Sequence, residues 1–365
     1  MAACKSKTTS TTTDSSSVTK TDTVMATDTS ASAIANLKPK GPAPAWAPDM
    51  KPQMQVVIEK LESYGDKPIS TLSAVDARKN HTPTDAVIDV MKQHNIPMPV
   101  FNIDTMGKDI PVTGGNIHLS IYTPKTGNGP FPMIVYYHGG GFVIANIEVY
   151  AAAAKTLADK VGAIVISVGY RLASEHKFPT AHNDAYAAYK WAIKNAASIK
   201  GDPKKIALVG ESAGGNLALT TAIKARDNGT MLPTAIVAVY PIAGSDTTTK
   251  SYIKNADAKP LNRAMMVWFF KNYLNRMAEG KDFRINLVAA NLMGLPPTII
   301  ITDEIDPLNS EGIMLGNKLK AAGVKVESKN YAGVTHEFFG MGSIVPEARD
   351  AEMYAVGQLK KAFGM

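Results

Sequence analysis

Apolar positions change period along the chain. Met54, Val57, Ile58 and Leu61 recur at helical spacing within 50–64, and Ala86, Val87, Val90 and Met91 repeat the habit over 84–94. From residue 100 onward the period alternates between strand and helix. Strands are predicted at 100–105, 117–122, 133–137, 163–169, 205–209, 235–240, 297–302 and 324–330. Helices are predicted at about 148–160, 180–198, 213–227, 308–322 and 346–362. Continuous β-branched runs such as Ile164-Val165-Ile166 and Ile299-Ile300-Ile301 suit strands covered on both faces. Strands and helices in this order predict an α/β fold with a doubly wound, mostly parallel sheet. One excursion, 242–295, interrupts the alternation and carries a helix-like stretch over 261–274.

The first 47 residues read differently. Ser and Thr dominate 5–32, with almost no large apolar side chains, and Pro39, Pro42, Pro44 and Pro48 follow as a stiff connector. The stretch 1–47 is therefore expected to be a disordered tether outside the fold. Met1-Ala2-Ala3-Cys4 before a polar run resembles the lipobox junction of a bacterial lipoprotein. That resemblance implies an acylated Cys4 that tethers the domain to a membrane of the bacterial cell envelope, the alternative being a cytoplasmic protein.

Composition narrows the class. Of 365 residues, 45% are hydrophobic and 19% charged, which excludes a globally disordered chain. No run of about 18 apolar residues predicts a membrane-spanning helix. Cys4 is the one cysteine, so a disulfide scaffold is excluded, and no Cys/His cluster has zinc spacing. The net charge of +7 comes from scattered lysines, without a basic run, and reads as a solvated surface with no nucleic-acid partner.

The chemistry concentrates in a few stretches. Gly210-Glu211-Ser212-Ala213-Gly214 fits G-x-S-x-G, with the strand 205–209 before it and a helix after it. That context is a nucleophile elbow, a tight turn that holds Ser212 at a helix N-terminus. His138-Gly139-Gly140-Gly141 follows the strand 133–137, where glycines let backbone amides approach a substrate. Gly139, Gly140, Gly141 and Ala213 are the expected oxyanion donors. His138 is expected to fix this loop through a hydrogen bond. A serine nucleophile needs a base and an orienting acid. His336, in the loop after the last strand, is the one histidine beyond Ser212. Asp306, before Pro307, is the preferred acid, with Asp303 and Glu304 as rivals in the same loop.

Taken together, His138-Gly139-Gly140-Gly141, Gly210-Glu211-Ser212-Ala213-Gly214, Asp306-Pro307-Leu308 and His336 resemble the hormone-sensitive lipase family of bacterial esterases, bacterial family IV. Tyr170-Arg171-Leu172-Ala173-Ser174-Glu175-His176-Lys177-Phe178-Pro179 is similar to a further family stretch, with Ser174 in place of its usual proline. The Asn146 region departs from the family's Gly-Asp. The resemblance spans about 49–363. It implies an α/β-hydrolase core of about eight strands under a helical cap, acting on carboxylic esters of short to medium acyl chains. The cap would consist of 48–96 and a second segment at about 244–285 within the catalytic domain 97–365.

Met265, Met266, Trp268, Phe269, Phe270 and Tyr273 would line or back the acyl pocket, two of the six lining it. The pocket residues expected are Phe142, Met266 and Phe270. The mechanism implied is a Ser-His-Asp triad with an acyl-enzyme, without metal or cofactor. The partners are a small-molecule ester, the membrane through Cys4, and a second copy in a homodimer. An amidase or lactonase could use the same triad. A non-catalytic small-molecule-binding relative would lack the histidine that stands at 336.

Overall fold

The computed structural model describes Met1 and residues 32–365. Eight strands form one sheet: β1 (Ile103–Val112), β2 (Gly115–Pro124), β3 (Phe131–Tyr137), β4 (Ile164–Gly169), β5 (Gly201–Glu211), β6 (Ala235–Val239), β7 (Thr298–Ile305) and β8 (Val326–Thr335), in the spatial order β1-β2-β4-β3-β5-β6-β7-β8. β3 through β8 are mutually parallel, while β2 pairs antiparallel with β1 and β4. This is the mostly parallel sheet that the alternation predicted, with the eight strands that the family resemblance implied.

Consecutive residues of β3 enter opposite cores. Met133, Val135 and Tyr137 join one apolar cluster, and Ile134 and Tyr136 the other. Both faces are dry, so the central strands carry unbroken apolar runs. The helices α1 (Pro52–Glu62), α2 (Pro83–Gln93), α3 (Ala151–Leu157) and α8 (Pro346–Phe363) contribute to the second cluster. The first is covered by α4 (Thr180–Asn195), α5 (Ala213–Asp227), α6 (Arg263–Tyr273) and α7 (Asn309–Ala321).

Two expectations are corrected. The strand expected at 100–105 starts at Ile103 and runs to Val112. It is the exposed edge of the sheet, held by its ladder to β2, so no apolar alternation marks it. The tether expected over 1–47 ends earlier, because Ile34, Leu37 and Ala47 are buried in the core cluster that α1 joins. Glu59 of α1 accepts the backbone N–H groups of Lys40 and Gly41 at 2.8 and 3.3 Å, and Gln55 donates to the carbonyls of Gly41 and Pro42, both at 3.0 Å. The Pro-rich connector is thus stapled to a helix by polar side chains. Cys4 and most of the Ser/Thr run lie outside the described residues. Among the described residues, no helix is long and apolar enough to cross a membrane.

The segments around α1–α2 and α6 meet over the C-terminal ends of the parallel strands. Trp268 Nε1 donates to the carbonyl of Leu72 at 3.0 Å, and Lys259 pairs with Glu62. Arg78 ties the first segment to the core, donating to Val143 O at 2.8 Å and to the Glu175 carboxylate.

Candidate active site

β5, β7 and β8 end close together, and the residue after each belongs to one cluster: Ser212 and His336 at the wall of a hollow, and Asp306 buried behind His336. Ser212 follows Glu211, the last residue of β5, and opens α5 with φ 55° and ψ −115°, a conformation that L-residues avoid. The turn is held by packing. A Cβ on Gly214 would sit 1.9 Å from Tyr137 O, and one on Gly210 would sit 2.1 Å from Gly214 O. Only glycine allows this approach of turn, helix and β3. Ser212 N–H donates to Val239 O at 2.9 Å, and its carbonyl accepts from Ile242 N–H at 3.1 Å.

His336 follows Thr335 at the end of β8, and Asp306 follows Ile305 at the end of β7. His336 Nε2 lies 2.9 Å from Ser212 Oγ, and His336 Nδ1 lies 2.8 Å from Asp306 Oδ2. All three residues are buried. With Nδ1–H donating to Asp306, Nε2 is left to accept the serine proton. Burial opposes the imidazolium, but the charge and hydrogen bond of Asp306, with Glu337 and Glu211 nearby, carry the His336 pKa above its ordinary value. The structure therefore brings together Ser212, His336 and Asp306, and neither rival acid hydrogen-bonds His336. Glu304 accepts from Gly333 N–H at 3.2 Å, outside the site. Asp303 is fully buried with neither carboxyl oxygen hydrogen-bonded, and burial, reinforced by the Asp306 charge, holds it protonated well above the usual range.

Asp303, Asp306 and His336 are also a group that could be read as metal ligands. The 2.8 Å between His336 Nδ1 and Asp306 Oδ2 is a hydrogen-bond distance, shorter than the roughly 3.3 Å between two ligands of a tetrahedral zinc.

Several supporting residues carried no sequence signal. Asp306 Oδ1 accepts from Leu308 N–H at 2.8 Å, and the Asp306 carbonyl accepts from Asn255 Nδ2 at 2.9 Å. Ser251 donates to the carbonyl of Pro307 at 2.6 Å. The excursion between β6 and β7 thus braces the acid loop as well as reaching α6. Glu211, the variable position of the elbow, is buried and accepts the phenol hydroxyls of Tyr136 and Tyr240. Burial pushes its pKa up to about 7 against those two bonds. The Tyr240 ring lies 4.5 Å from the His336 ring. Such contacts join residues distant in sequence, and no local pattern announces them.

The glycine loop follows β3. His138 Nδ1 donates to Gly139 O at 2.8 Å, and Tyr170 donates to His138 O and Gly139 O at 2.9 and 3.1 Å, so His138 fixes the loop as expected. Its burial lowers its pKa to about 4, which keeps it neutral. Gly140 and Gly141 line the hollow, whereas Gly139, with its carbonyl tied back, does not. Ala213 is buried at the first turn of α5.

The hollow is a cavity of about 630 Å³ that contains Ser212 and His336 in its lining. Of the expected pocket residues, Met266 lines it, and Phe142 and Phe270 do not. Phe142 stacks on Tyr273 with ring centroids 4.3 Å apart, inside the core. On α6, Met265, Met266 and Phe269 line the cavity, while Phe270 and Tyr273 do not. Met266, Phe269, Phe270 and Tyr273 share one apolar face and one core cluster, so the docking of the helix, not its period, decides which of them reach the cavity.

A family model described as the alpha/beta hydrolase fold matches residues 134–340. A carboxylesterase of Mycobacterium tuberculosis, NlhH, is 36% identical over 251 residues, covering 68% of this chain and 79% of that protein. The solved esterase of Pyrobaculum calidifontis superposes with a TM-score of 0.74 at 35% identity, covering 80% of this chain and 94% of that one. A thermostable esterase from Pseudomonas putida ECU1011 gives a TM-score of 0.79 at 31% identity, covering 87% and 98%.

Proposed function

Since the chain belongs to the α/β-hydrolase fold family, of the hormone-sensitive lipase type, and is a carboxylic ester hydrolase, we propose that it works through a triad of Ser212, His336 and Asp306 and a covalent acyl-enzyme. The observation that carries this reading is the relay Ser212 Oγ–His336 Nε2–His336 Nδ1–Asp306 Oδ2, with steps of 2.9 and 2.8 Å, at a cavity wall.

His336 takes the hydroxyl proton as Ser212 Oγ attacks the ester carbonyl. Asp306 stabilises the imidazolium and fixes the tautomer. The amides of Gly140, Gly141 and Ala213 receive the oxyanion, each donor lowering the barrier by roughly 3–4 kcal/mol. His336 then gives its proton to the leaving alkoxide. Water, activated by the same imidazole, cleaves the acyl-enzyme and releases the acid.

The segments 48–96 and about 244–285 act as the cap in this reading. Ile69, Leu261, Met265, Met266 and Phe269 give the cavity its apolar side, which supports short- to medium-chain acyl groups as substrate. A chain-length series of p-nitrophenyl esters tests this. Turnover should be highest at short to medium chains and fall for long ones, and a profile that rises to long acyl chains would contradict it. Acylation of Cys4 is a separate part of the reading, supported by Ala2-Ala3-Cys4 and the Ser/Thr run alone. Mass spectrometry of the protein from membranes of an expressing bacterium checks it.

A further inference from the structure

We propose that Glu337 selects esters whose leaving alcohol carries a hydrogen-bond donor near the ester oxygen, such as a hydroxyl group. This rests on the triad reading above. For the acyl-enzyme to form, His336 Nε2 must protonate the leaving alkoxide, so the alcohol lies on the His336 side of Ser212. The carbonyl oxygen lies on the side of Gly140 and Gly141. Residues of the cavity wall beside His336 therefore face the alcohol.

Glu337 is the next residue in the chain and lines the same cavity. Its φ of 67° is a left-handed turn that only glycine adopts freely, so the packing around it holds the turn. Glu337 Oε1 accepts the Tyr150 hydroxyl at 3.0 Å, which anchors the side chain. Tyr150 is itself wedged beside the oxyanion loop, since a Cβ on Gly139 would lie 2.3 Å from its Oη. Glu337 Oε2 takes no hydrogen bond from any group among the described residues, and it is not among the sealed polar atoms. Pro83 and Val149 flank Glu337 with apolar surface. A recessed carboxylate with one oxygen served is costly and is stabilised by any donor that reaches the other. A hydroxyl on the alcohol would supply it, and a carboxylate there would be repelled.

The discriminating pair is 2-hydroxyethyl acetate and propyl acetate, which have the same number of heavy atoms. Each kcat/KM is divided by the ester's alkaline hydrolysis rate. The wild type should prefer the hydroxyethyl ester by roughly 10- to 100-fold, the range of a hydrogen bond to a charged group. Glu337→Leu should bring the ratio near one. Glu337→Gln, which keeps an acceptor oxygen and the shape, should retain part of the preference, so a misfolded leucine variant cannot decide the matter alone. A wild-type ratio near one, or a preference unchanged in both variants, would overturn the inference while ester turnover stands. If the wild type turns over neither acetate nor p-nitrophenyl acetate, the esterase reading fails, and this inference with it.

Discussion

The elbow around Ser212 and the cap helix α6 line one cavity, and they differ in what fixes their side chains. At the elbow, backbone touches backbone: would-be Cβ atoms on Gly210 and Gly214 meet carbonyl oxygens at about 2 Å. On α6, Met265, Met266 and Phe269 meet the cavity through flexible or rotatable side chains. Chemistry is therefore built where nothing can give, and substrate shape where small adjustments are cheap.

The sharpest way to break this contrast is a side chain on each region. Gly214→Val should abolish the folded enzyme, or destabilise it by more than about 4 kcal/mol, because its clash is with backbone. Met265→Val should leave the melting temperature within a few degrees and change the acyl-length profile. Thermal unfolding and the ester series together read both.

Next in size is the relay itself. Asp306→Asn should lower kcat by about 10⁴, as expected for an orienting acid replaced by a neutral mimic. Asp303→Asn and Glu304→Gln should cost less than about tenfold, since neither hydrogen-bonds His336. A larger loss at either would move the acid. The pH dependence follows with its sign. The base must be neutral to act, and its pKa lies above the ordinary 6.5, so kcat/KM in the wild type should fall on acidification with a midpoint above that value. Asp306→Asn removes the main raising influence, and the residual activity should show its midpoint shifted to lower pH.

How much of this could be read from the sequence depends on the range of the forces involved. The elbow and the glycine loop are contiguous stretches, and their glycines mark the close approaches. The parallel strands are legible because both faces are buried. Asn255, Ser251, Tyr240 and the Glu211 pocket are not, because each acts across a distance in sequence that no period spans. Phe142 and Phe270 turn into the core for a related reason: an apolar residue beside the site, in a loop or on a helix face, does not say whether it meets the cavity or the core. The N-terminal boundary was missed because Ile34 and Leu37 are two apolar residues in a polar run, and their burial depends on a groove made by distant helices.

Two smaller effects sharpen the contrast further. Phe270→Ala should cost roughly 3–5 kcal/mol of stability, as for a buried phenylalanine, without moving the acyl-length optimum. Phe269→Ala should move that optimum. A chain that begins at Trp46 should melt several degrees below one that begins at Ser32, since the burial of Ile34 and Leu37 contributes roughly 1.5–3 kcal/mol each. Equal melting temperatures would return 32–45 to the tether.

The central claim is that Ser212 Oγ is the nucleophile, and turnover of p-nitrophenyl acetate by purified Ser212→Ala tests it most directly. With the melting temperature of the wild type retained, kcat should fall by roughly 10⁶, as when the nucleophile of a serine triad is removed. A folded Ser212→Ala that keeps more than about a tenth of the wild-type kcat would contradict the account.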